Sequence, residues 1–209
     1  MAKGRLFSDR FVSTLQSLVT LHHSIYPKIP PRDIFFESIV EQAFLRSGWK
    51  REQVVLTAMK SPMHDMSVGE TKLSVKTETG ASTRRDSISI TKLCTTETGE
   101  WESSFLISHA LAHLERYDFI LMLRAIWEPG VIHYQLLDIP KSVLQKMATA
   151  TALPVGARPG RRSLAVDIID DQGETLFRVH FDGADGKCQI HKLRVAICTM
   201  LREWNQELP

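Results

Sequence analysis

Cysteine is scarce in this sequence. Three cysteines occur among 209 residues, at positions 94, 188 and 198. This spacing does not match the ligand spacing of zinc sites, and an odd count does not match the disulfide framework of a small secreted domain. The N-terminus starts basic, but Ser, Thr and Gln interrupt its apolar positions, so it does not read as a secretory signal segment. These features predict reduced thiols and a cytoplasmic protein.

Long apolar runs are also missing. The longest, FILMLRAIW, is interrupted by Arg124 and is far shorter than the roughly 20 apolar residues that span a bilayer. No Gly-rich phosphate loop, G-x-S-x-G elbow or dinucleotide fingerprint occurs in the sequence. We therefore expect no membrane-spanning segment and set aside the enzyme classes that depend on those motifs.

What the sequence does contain is the composition of an ordinary globular protein. Of its residues 43% are apolar and 24% are charged, and the formal net charge is +2. This composition and length predict one domain over residues 1–209. Basic residues cluster in STRRD, ARPGRRS and HKLR, and either solvated surface or contact with nucleic acid would account for these clusters.

Hydrophobic periodicity predicts helices at both ends of the chain and strands between them. Helices are indicated over 9–26, over 34–49 with Asp33 as its cap, and over GEWESSFLISHALAHLERY. Alternation predicts a hairpin, 63–68 and 72–79, that turns at Gly69-Glu70. Further strands are predicted at SISITKL, DFILMLRAIW and VIHYQLLDIP, followed by a hairpin around 170–173 and a C-terminal amphipathic helix, GKCQIHKLRVAICTMLREWNQ. The fold class is therefore α/β or α+β, with a mixed five- or six-stranded sheet flanked by helices.

Both N-terminal helices carry apolar residues at a spacing that predicts one buried face each. The first stripe consists of Phe11, Leu15, Leu18, Val19 and Leu21, and the second of Ile34, Ile39, Val40, Phe44 and Leu45.

The predicted hairpin brings an aspartate and a lysine together. Residues two apart on a strand share a face, so Ser74 and Lys76 point the same way. A turn at Gly69-Glu70 places Asp65, on the preceding strand, roughly opposite Ser74. A carboxylate that holds Mg²⁺ beside a lysine that steers the attacking water suits phosphodiester hydrolysis.

These residues resemble the catalytic core of the PD-(D/E)xK nuclease superfamily, the fold of most type II restriction endonucleases. Asp65 and Lys76 match the motif residue for residue, whereas Ser74 stands where the second acid is usual. The resemblance covers about 34–140, in the αβββαβ order of the superfamily. One branch of restriction enzymes reads Ser-x-Lys and takes its second carboxylate from a later helix, which implies Glu97 as a metal ligand.

Other acids remain open as the second ligand. Glu100 and Glu102 follow Glu97 closely, and the N-terminal helix offers Glu37 and Glu41, in a position where many superfamily members carry a glutamate. The sequence GETK also contains acid-x-Lys, through Glu70, but at the expected turn and only five positions after Asp65.

The resemblance implies a Mg²⁺-dependent type II endonuclease that cuts double-stranded DNA to 5′-phosphate and 3′-hydroxyl ends as a homodimer or higher oligomer. In that reading Asp65 and Glu97 bind the metal, Ser74 fills the vacated acid position and Lys76 orients the water. Segment 153–209 is expected to serve DNA recognition or dimerisation. The candidate DNA contacts are Arg84, Arg85, Lys92, Arg158, Arg161, Arg162, Lys187, His191, Lys192 and Arg194. The alternatives are a repair, junction-resolving or modification-dependent nuclease of the same superfamily, and a non-catalytic nucleic-acid-binding protein with the same fold.

Overall fold

The computed structural model describes residues 6–57, 64–96, 101–156 and 162–209. The chain divides into two compact units, each built from separate stretches of sequence. The first comprises Met1–Thr83, Tyr117–Ile139 and Cys198–Pro209, and the second Arg84–Arg116 and Pro140–Ile197. The prediction of one domain over 1–209 stays a prediction.

The described residues form four α-helices and eleven strands. The helices are α1 (Asp9–Ile25), α2 (Asp33–Arg46), α3 (Ser103–Leu114) and α4 (Lys141–Leu144). The strands are β1 (Val54–Leu56), β2 (Met66–Val68), β3 (Thr71–Glu78), β4 (Ser87–Thr95), β5 (Phe119–Glu128), β6 (Val131–Asp138), β7 (Leu153–Pro154), β8 (Ser163–Ile169), β9 (Thr175–Asp182), β10 (Lys187–Arg194) and β11 (Thr199–Glu207). Short 3-10 turns occupy Arg51–Gln53, Gln145–Thr149 and Val195–Ile197.

The first unit contains a six-stranded mixed sheet in the order β1-β2-β3-β5-β6-β11. Its neighbouring strands are antiparallel except β3 and β5, which run parallel and are therefore joined by a long connection. Helices α1 and α2 bury their apolar sides with Leu73 and Val75 of β3 in one core, where the rings of Phe11 and Phe44 stack 4.1 Å apart. Burial of these large side chains is the main source of stability for the sheet that carries the predicted site.

The second unit contains a five-stranded sheet in the order β4-β10-β9-β8-β7, antiparallel throughout. The predicted hairpin around 170–173 is confirmed as the β8–β9 turn, where Gly173 has a φ of 83°. Phe177, Val179 and Phe181 of β9 are buried, and the residues between them are half-buried. One face of this sheet is therefore core, and the other carries polar side chains.

The fold class is confirmed as α+β with a six-stranded mixed sheet, but two details of the sequence prediction are wrong. The predicted C-terminal helix is instead β10, a 3-10 turn and β11. A register shift between Ile190 and Leu193, with Lys192 in the left-handed region at φ 55°, spaces apolar residues as in a helix. The strand predicted at SISITKL is present as β4, but it pairs with β10 in a second sheet, whereas a single sheet was predicted. The chain order in this region is α2, β1–β4, α3 and β5, which is one strand more than the expected αβββαβ.

Two further findings concern the cysteines and membrane-spanning segments. All three cysteines are free thiols, two of them facing each other where Cys94 of β4 opposes Cys188 of β10. Across the described ranges, no helix is both long and apolar enough to cross a membrane.

Candidate active site

The β2–β3 hairpin places Asp65 beside Ser74. The strands pair with Met66 opposite Leu73, so the register brings Asp65 opposite Ser74, and the Asp65 amide donates a 2.9 Å hydrogen bond to the Leu73 carbonyl. The tight turn depends on Gly69, whose φ of 60° lies in the left-handed region that favours glycine. The hairpin and its turn at Gly69-Glu70 are as the sequence predicted.

The Asp65 carboxylate is held by three donors from β3. Its Oδ2 atom accepts hydrogen bonds from the Ser74 hydroxyl at 3.0 Å, the Val75 amide at 2.6 Å and the Lys76 ammonium at 3.2 Å. Because hydrogen bonds to a carboxylate are strong, these three donors fix the orientation of the Asp65 side chain. The Asp65 side chain keeps 29% of its surface exposed, so a substrate can approach it.

Lys76 is the cation of this site. Its side chain is 19% exposed, and its Nζ atom contacts the Asp65 carboxylate at 3.2 Å and the Val75 carbonyl at 3.3 Å. An ammonium group has three N–H donors. Two of them are used here, which leaves one for a water molecule or a phosphate oxygen.

Ser74 stands in the position where the PD-(D/E)xK pattern has its second acid. The residue is only 2% exposed, and its hydroxyl donates to Asp65. A neutral donor at this position supports the neighbouring carboxylate, whereas a second carboxylate would repel it. If the site binds a metal, its second charged ligand must come from another element.

Glu37 of α2 is electrostatically part of this site. Burial raises the pKa of Glu37, the charge of Asp65 raises it further, Lys76 lowers it and Asp33 raises it. Glu41, one turn along the same helix, is instead buried in an ion pair with Arg51. Of the two helix acids considered from the sequence, Glu37 is the one coupled to the Asp65–Lys76 pair.

The remaining predicted acids are Glu70, Glu97, Glu100 and Glu102. Glu97 and Glu100 fall outside the described residues. Glu70 is exposed at the hairpin turn, and the lysine of its GETK motif, Lys72, is exposed and uses its backbone amide to bind the Asp118 carboxylate. The described geometry thus assembles Asp65 with Ser74-x-Lys76, and it does not use the acid of GETK.

The carboxylates of this site are its candidate ligands for Mg²⁺. In the described ranges no group of three or more His, Cys, Asp or Glu side chains is arranged to hold a metal. Mg²⁺ commonly binds through only one or two protein carboxylates and completes its shell with water and substrate phosphate. Asp65 and Glu37 are two coupled carboxylates in a partly exposed site, so they fit this requirement.

A buried ion pair next to Lys76 was missed by the sequence analysis. Arg124 of β5 is fully buried; its Nε donates to Glu78 at 2.7 Å, and its Nη1 donates to Gln135 at 2.6 Å. Glu78 lies two residues beyond Lys76 on the same face of β3, directly opposite Arg124. Arg124 therefore neutralises the acid that would otherwise compete with Asp65 for Lys76. The sequence did contain a signal for this ion pair, because a charged residue inside the apolar run FILMLRAIW requires a buried partner.

The described members of the predicted DNA-contact set all lie in the second unit. Arg84, Arg85, Lys92, Arg162 and Lys192 are exposed. Two others are engaged in ion pairs, Lys187 with Asp185 at 3.2 Å and Arg194 with Asp170 at 2.7 Å. Arg158 and Arg161 fall outside the described residues. DNA contact by these residues stays a prediction.

His191 belongs to a hydrogen-bonded group that the sequence did not reveal. The Gln189 Oε1 atom lies 3.1 Å from Nδ1 of His180 and 3.1 Å from Nε2 of His191. Because an amide oxygen only accepts, this orientation of the Gln189 amide assigns the donor role to both ring nitrogens. The Gln189 amide nitrogen has no partner within the described part of the chain and is not among the buried unsatisfied atoms, so it reaches solvent as a donor.

The surroundings of His191 favour the neutral form of its imidazole ring. Burial lowers the pKa of His191, and the neighbouring His180, Arg178 and Lys192 lower it further. The alternation of β9 and β10 places Arg178, His180, Gln189 and His191 on the polar face of the second sheet.

The chain is similar to one protein family and to two known restriction enzymes. The family described as SmaI, type II site-specific deoxyribonuclease, matches residues 3–206. The type II restriction enzyme SmaI of Serratia marcescens is 27% identical over 213 residues, which covers 99% of this chain and 83% of that enzyme. A solved restriction endonuclease in complex with substrate DNA has a TM-score of 0.41 and 17% identity, and the similarity covers 68% of this chain and 66% of that one. The family match includes both units.

Proposed function

The chain belongs to the SmaI family of type II site-specific deoxyribonucleases, and we propose that it hydrolyses double-stranded DNA with Mg²⁺ at the Asp65–Lys76 site. The products would be 5′-phosphate and 3′-hydroxyl ends. Family membership favours this reading over a repair or junction-resolving nuclease of the same superfamily. It also favours an enzyme over a protein that only binds nucleic acid.

The observation that carries the proposal is the Asp65 carboxylate bound by Ser74, Val75 and Lys76. Mg²⁺ held by Asp65 and a second carboxylate would neutralise charge on the scissile phosphate. Lys76 directs its remaining N–H toward the attacking water or a phosphate oxygen, so it orients the nucleophile and stabilises developing negative charge. Ser74 and the Val75 amide keep Asp65 in place while this happens.

The second carboxylate has two candidates. Glu37 is the described acid whose pKa responds to both Asp65 and Lys76. Glu97 is implied by the Ser-x-Lys branch of the superfamily. We assign Glu37 to the site on its electrostatic coupling and keep Glu97 as the ligand that the resemblance implies. Substitution of each acid separates the two.

We place sequence recognition in the second unit, on the polar face of β9 and β10. The Gln189 oxygen is occupied by two histidines, so this side chain can only donate to a base. Guanine presents two adjacent acceptors, O6 and N7, in the major groove, where a two-stranded β-ribbon fits. Lys192, exposed and next to His191, is suited to a phosphate contact.

The cleavage proposal is tested with Lys76→Ala and a matched control, Lys72→Ala, on the same strand. Purified protein is incubated with plasmid or phage DNA in Mg²⁺ or EDTA, and the fragments are resolved on a gel. We expect discrete Mg²⁺-dependent fragments from the wild type and from Lys72→Ala. Cleavage by Lys76→Ala should fall at least about 100-fold, the lower end of what one such group contributes, while DNA binding is retained. Cleavage by Lys76→Ala at the wild-type rate would refute the assignment.

A further inference from the structure

An apolar patch is exposed where α1 ends and α2 begins. Six of the large hydrophobic residues that are exposed in the described structure lie within this one segment. They are Leu21, Ile25, Tyr26, Ile29, Ile34 and Phe35, between 47% and 65% exposed. We call them the 21–35 patch. Scattered exposed apolar residues are normal in a folded protein, but a concentration of this kind marks an interaction surface.

The sequence pattern of the two helices makes this exposure unexpected. Leu21 and Ile34 belong to stripes whose spacing predicts burial, and other members of those stripes, such as Leu15 and Val40, are fully buried. Leu21 is instead 56% exposed and Ile34 is 47% exposed. The apolar stripes therefore continue beyond the core of the first unit onto its surface.

The central members of the patch are neighbours in space. The ring of His22 lies 5.2 Å from that of Tyr26 and 6.4 Å from that of Phe35, measured between centroids. The Nε2 atom of His22 also lies 2.9 Å from the Ile29 carbonyl oxygen, which fixes the loop between the helices. His22, on α1, thus contacts two residues of the connecting loop and Phe35 of α2.

The size and border of the patch suit a specific interface. With its six large side chains 47% to 65% exposed, the patch leaves on the order of 700 Å² uncovered, close to the roughly 800 Å² that each partner contributes to a standard interface. Lys28, Arg32 and Asp33 are exposed at its border and provide charges of both signs. An apolar centre with a mixed polar rim is the composition of a protein interface, whereas a DNA backbone requires a basic surface.

We propose that the 21–35 patch binds the same patch of a second copy of this chain about a two-fold axis. This inference rests on the proposed function, in which one chain has one Asp65–Lys76 site and cutting both strands takes two chains. A two-fold contact needs a surface that complements itself, and an apolar patch bordered by both charge signs meets that condition. The location differs from segment 153–209, which the sequence suggested for recognition or dimerisation.

Dimerisation at this surface also bears on the site. Ile34 and Phe35 lie two or three residues before Glu37 on α2. A partner packed on the start of α2 would hold the helix that carries this acid. The monomer is therefore expected to cut poorly as well as to lack the second site.

The test compares two isoleucines of equal exposure. Ile29, within the patch, is 57% exposed, and Ile169, at the end of β8 in the second unit, is 59% exposed. Phe35→Asp serves as a second patch variant, because a carboxylate is favourable in the first turn of a helix and we therefore expect the fold to be retained. Sedimentation and light scattering give the mass of each protein, and circular dichroism checks that each is folded.

We expect a mass of twice 23.7 kDa for the wild type and for Ile169→Asp, and 23.7 kDa for Ile29→Asp and Phe35→Asp. On supercoiled plasmid, the patch variants should yield nicked circles where the wild type yields linear DNA. A monomeric wild type, a dimeric Ile29→Asp or a monomeric Ile169→Asp would each overturn the proposal. If no protein cleaves DNA, the proposed function fails, and the masses still decide the interface.

Discussion

Arg124 offers a test of how the site is kept intact. This side chain is fully buried and donates to Glu78, whose side chain is only 12% exposed. Replacing Arg124 with Met removes the cation and leaves the charge of Glu78 in a desolvated position. Removing one partner of a buried pair typically costs about 3–5 kcal/mol, because the remaining charge is left uncompensated. For a chain of this length that corresponds to a fall in Tm of about 6–20 °C.

The assay is thermal unfolding followed by circular dichroism, with Arg178→Met as the matched control. Arg178 also pairs with an acid, Asp167 at 3.1 Å, but the two side chains are 32% and 43% exposed. An exposed pair of this kind contributes about 0–1 kcal/mol. The two arginines therefore differ mainly in burial, and we expect the Arg178 variant to melt close to the wild type.

A double substitution identifies the cause. Adding Glu78→Gln to Arg124→Met removes the negative charge of the Glu78 carboxylate. The free energy of unfolding of the double variant should therefore be at least about 1 kcal/mol higher than that of Arg124→Met alone. Cleavage should fall in Arg124→Met, since Glu78 then competes with Asp65 for Lys76. Equal stability of Arg124→Met and the wild type, or no recovery in the double variant, would refute this reasoning.

The remaining predictions concern metal binding and sequence recognition. Glu37→Gln should raise the Mg²⁺ concentration for half-maximal cleavage, Glu97→Gln should do so if that residue is also a ligand, and Glu70→Gln should not. Because the folded-state pKa of Glu37 is raised above 4.5, its ionisation opposes folding. Metal-free Glu37→Gln should therefore be more stable than the wild type at neutral pH, and this difference should vanish as the pH falls toward 4.5. Gln189→Ala should lose about 1–3 kcal/mol of discrimination at a guanine of the recognition sequence, measured on substrates with single base changes. Gln172→Ala, at the exposed β8–β9 turn, should keep that discrimination.

The parts of the fold that the sequence predicted correctly depend on local geometry. The β2–β3 hairpin follows from alternation and from one glycine at the turn, so residues a few positions apart determine its register. That register alone brings Asp65 opposite Ser74. The C-terminal helix was predicted wrongly because the register shift before Leu193 depends on pairing with β4, about a hundred residues earlier in the chain.

What the sequence left open depends on contacts between distant segments. Arg124 requires a partner, but Glu78 is identified only by the parallel pairing of β3 with β5, which are joined by a long connection. The choice between Glu37 and Glu41 turns on which acid Arg51 binds, and helical spacing puts both on similar faces. The exposure of Ile34 could not be predicted either, since periodicity shows that a residue is apolar and does not show what covers it.

Ser74 connects these observations. With a hydroxyl at this position, β3 supplies a supported Asp65 and a lysine but only one carboxylate, so the charge that a metal requires has to come from outside the hairpin. We propose that Glu37 meets that need from α2, whose first turn carries Ile34 and Phe35 of the 21–35 patch. In an enzyme with the acid on β3, the ligand set would be complete within one hairpin. Here the proposed second ligand lies on the helix that is also proposed to contact the partner chain, so assembly of the dimer would stabilise the metal site of each subunit.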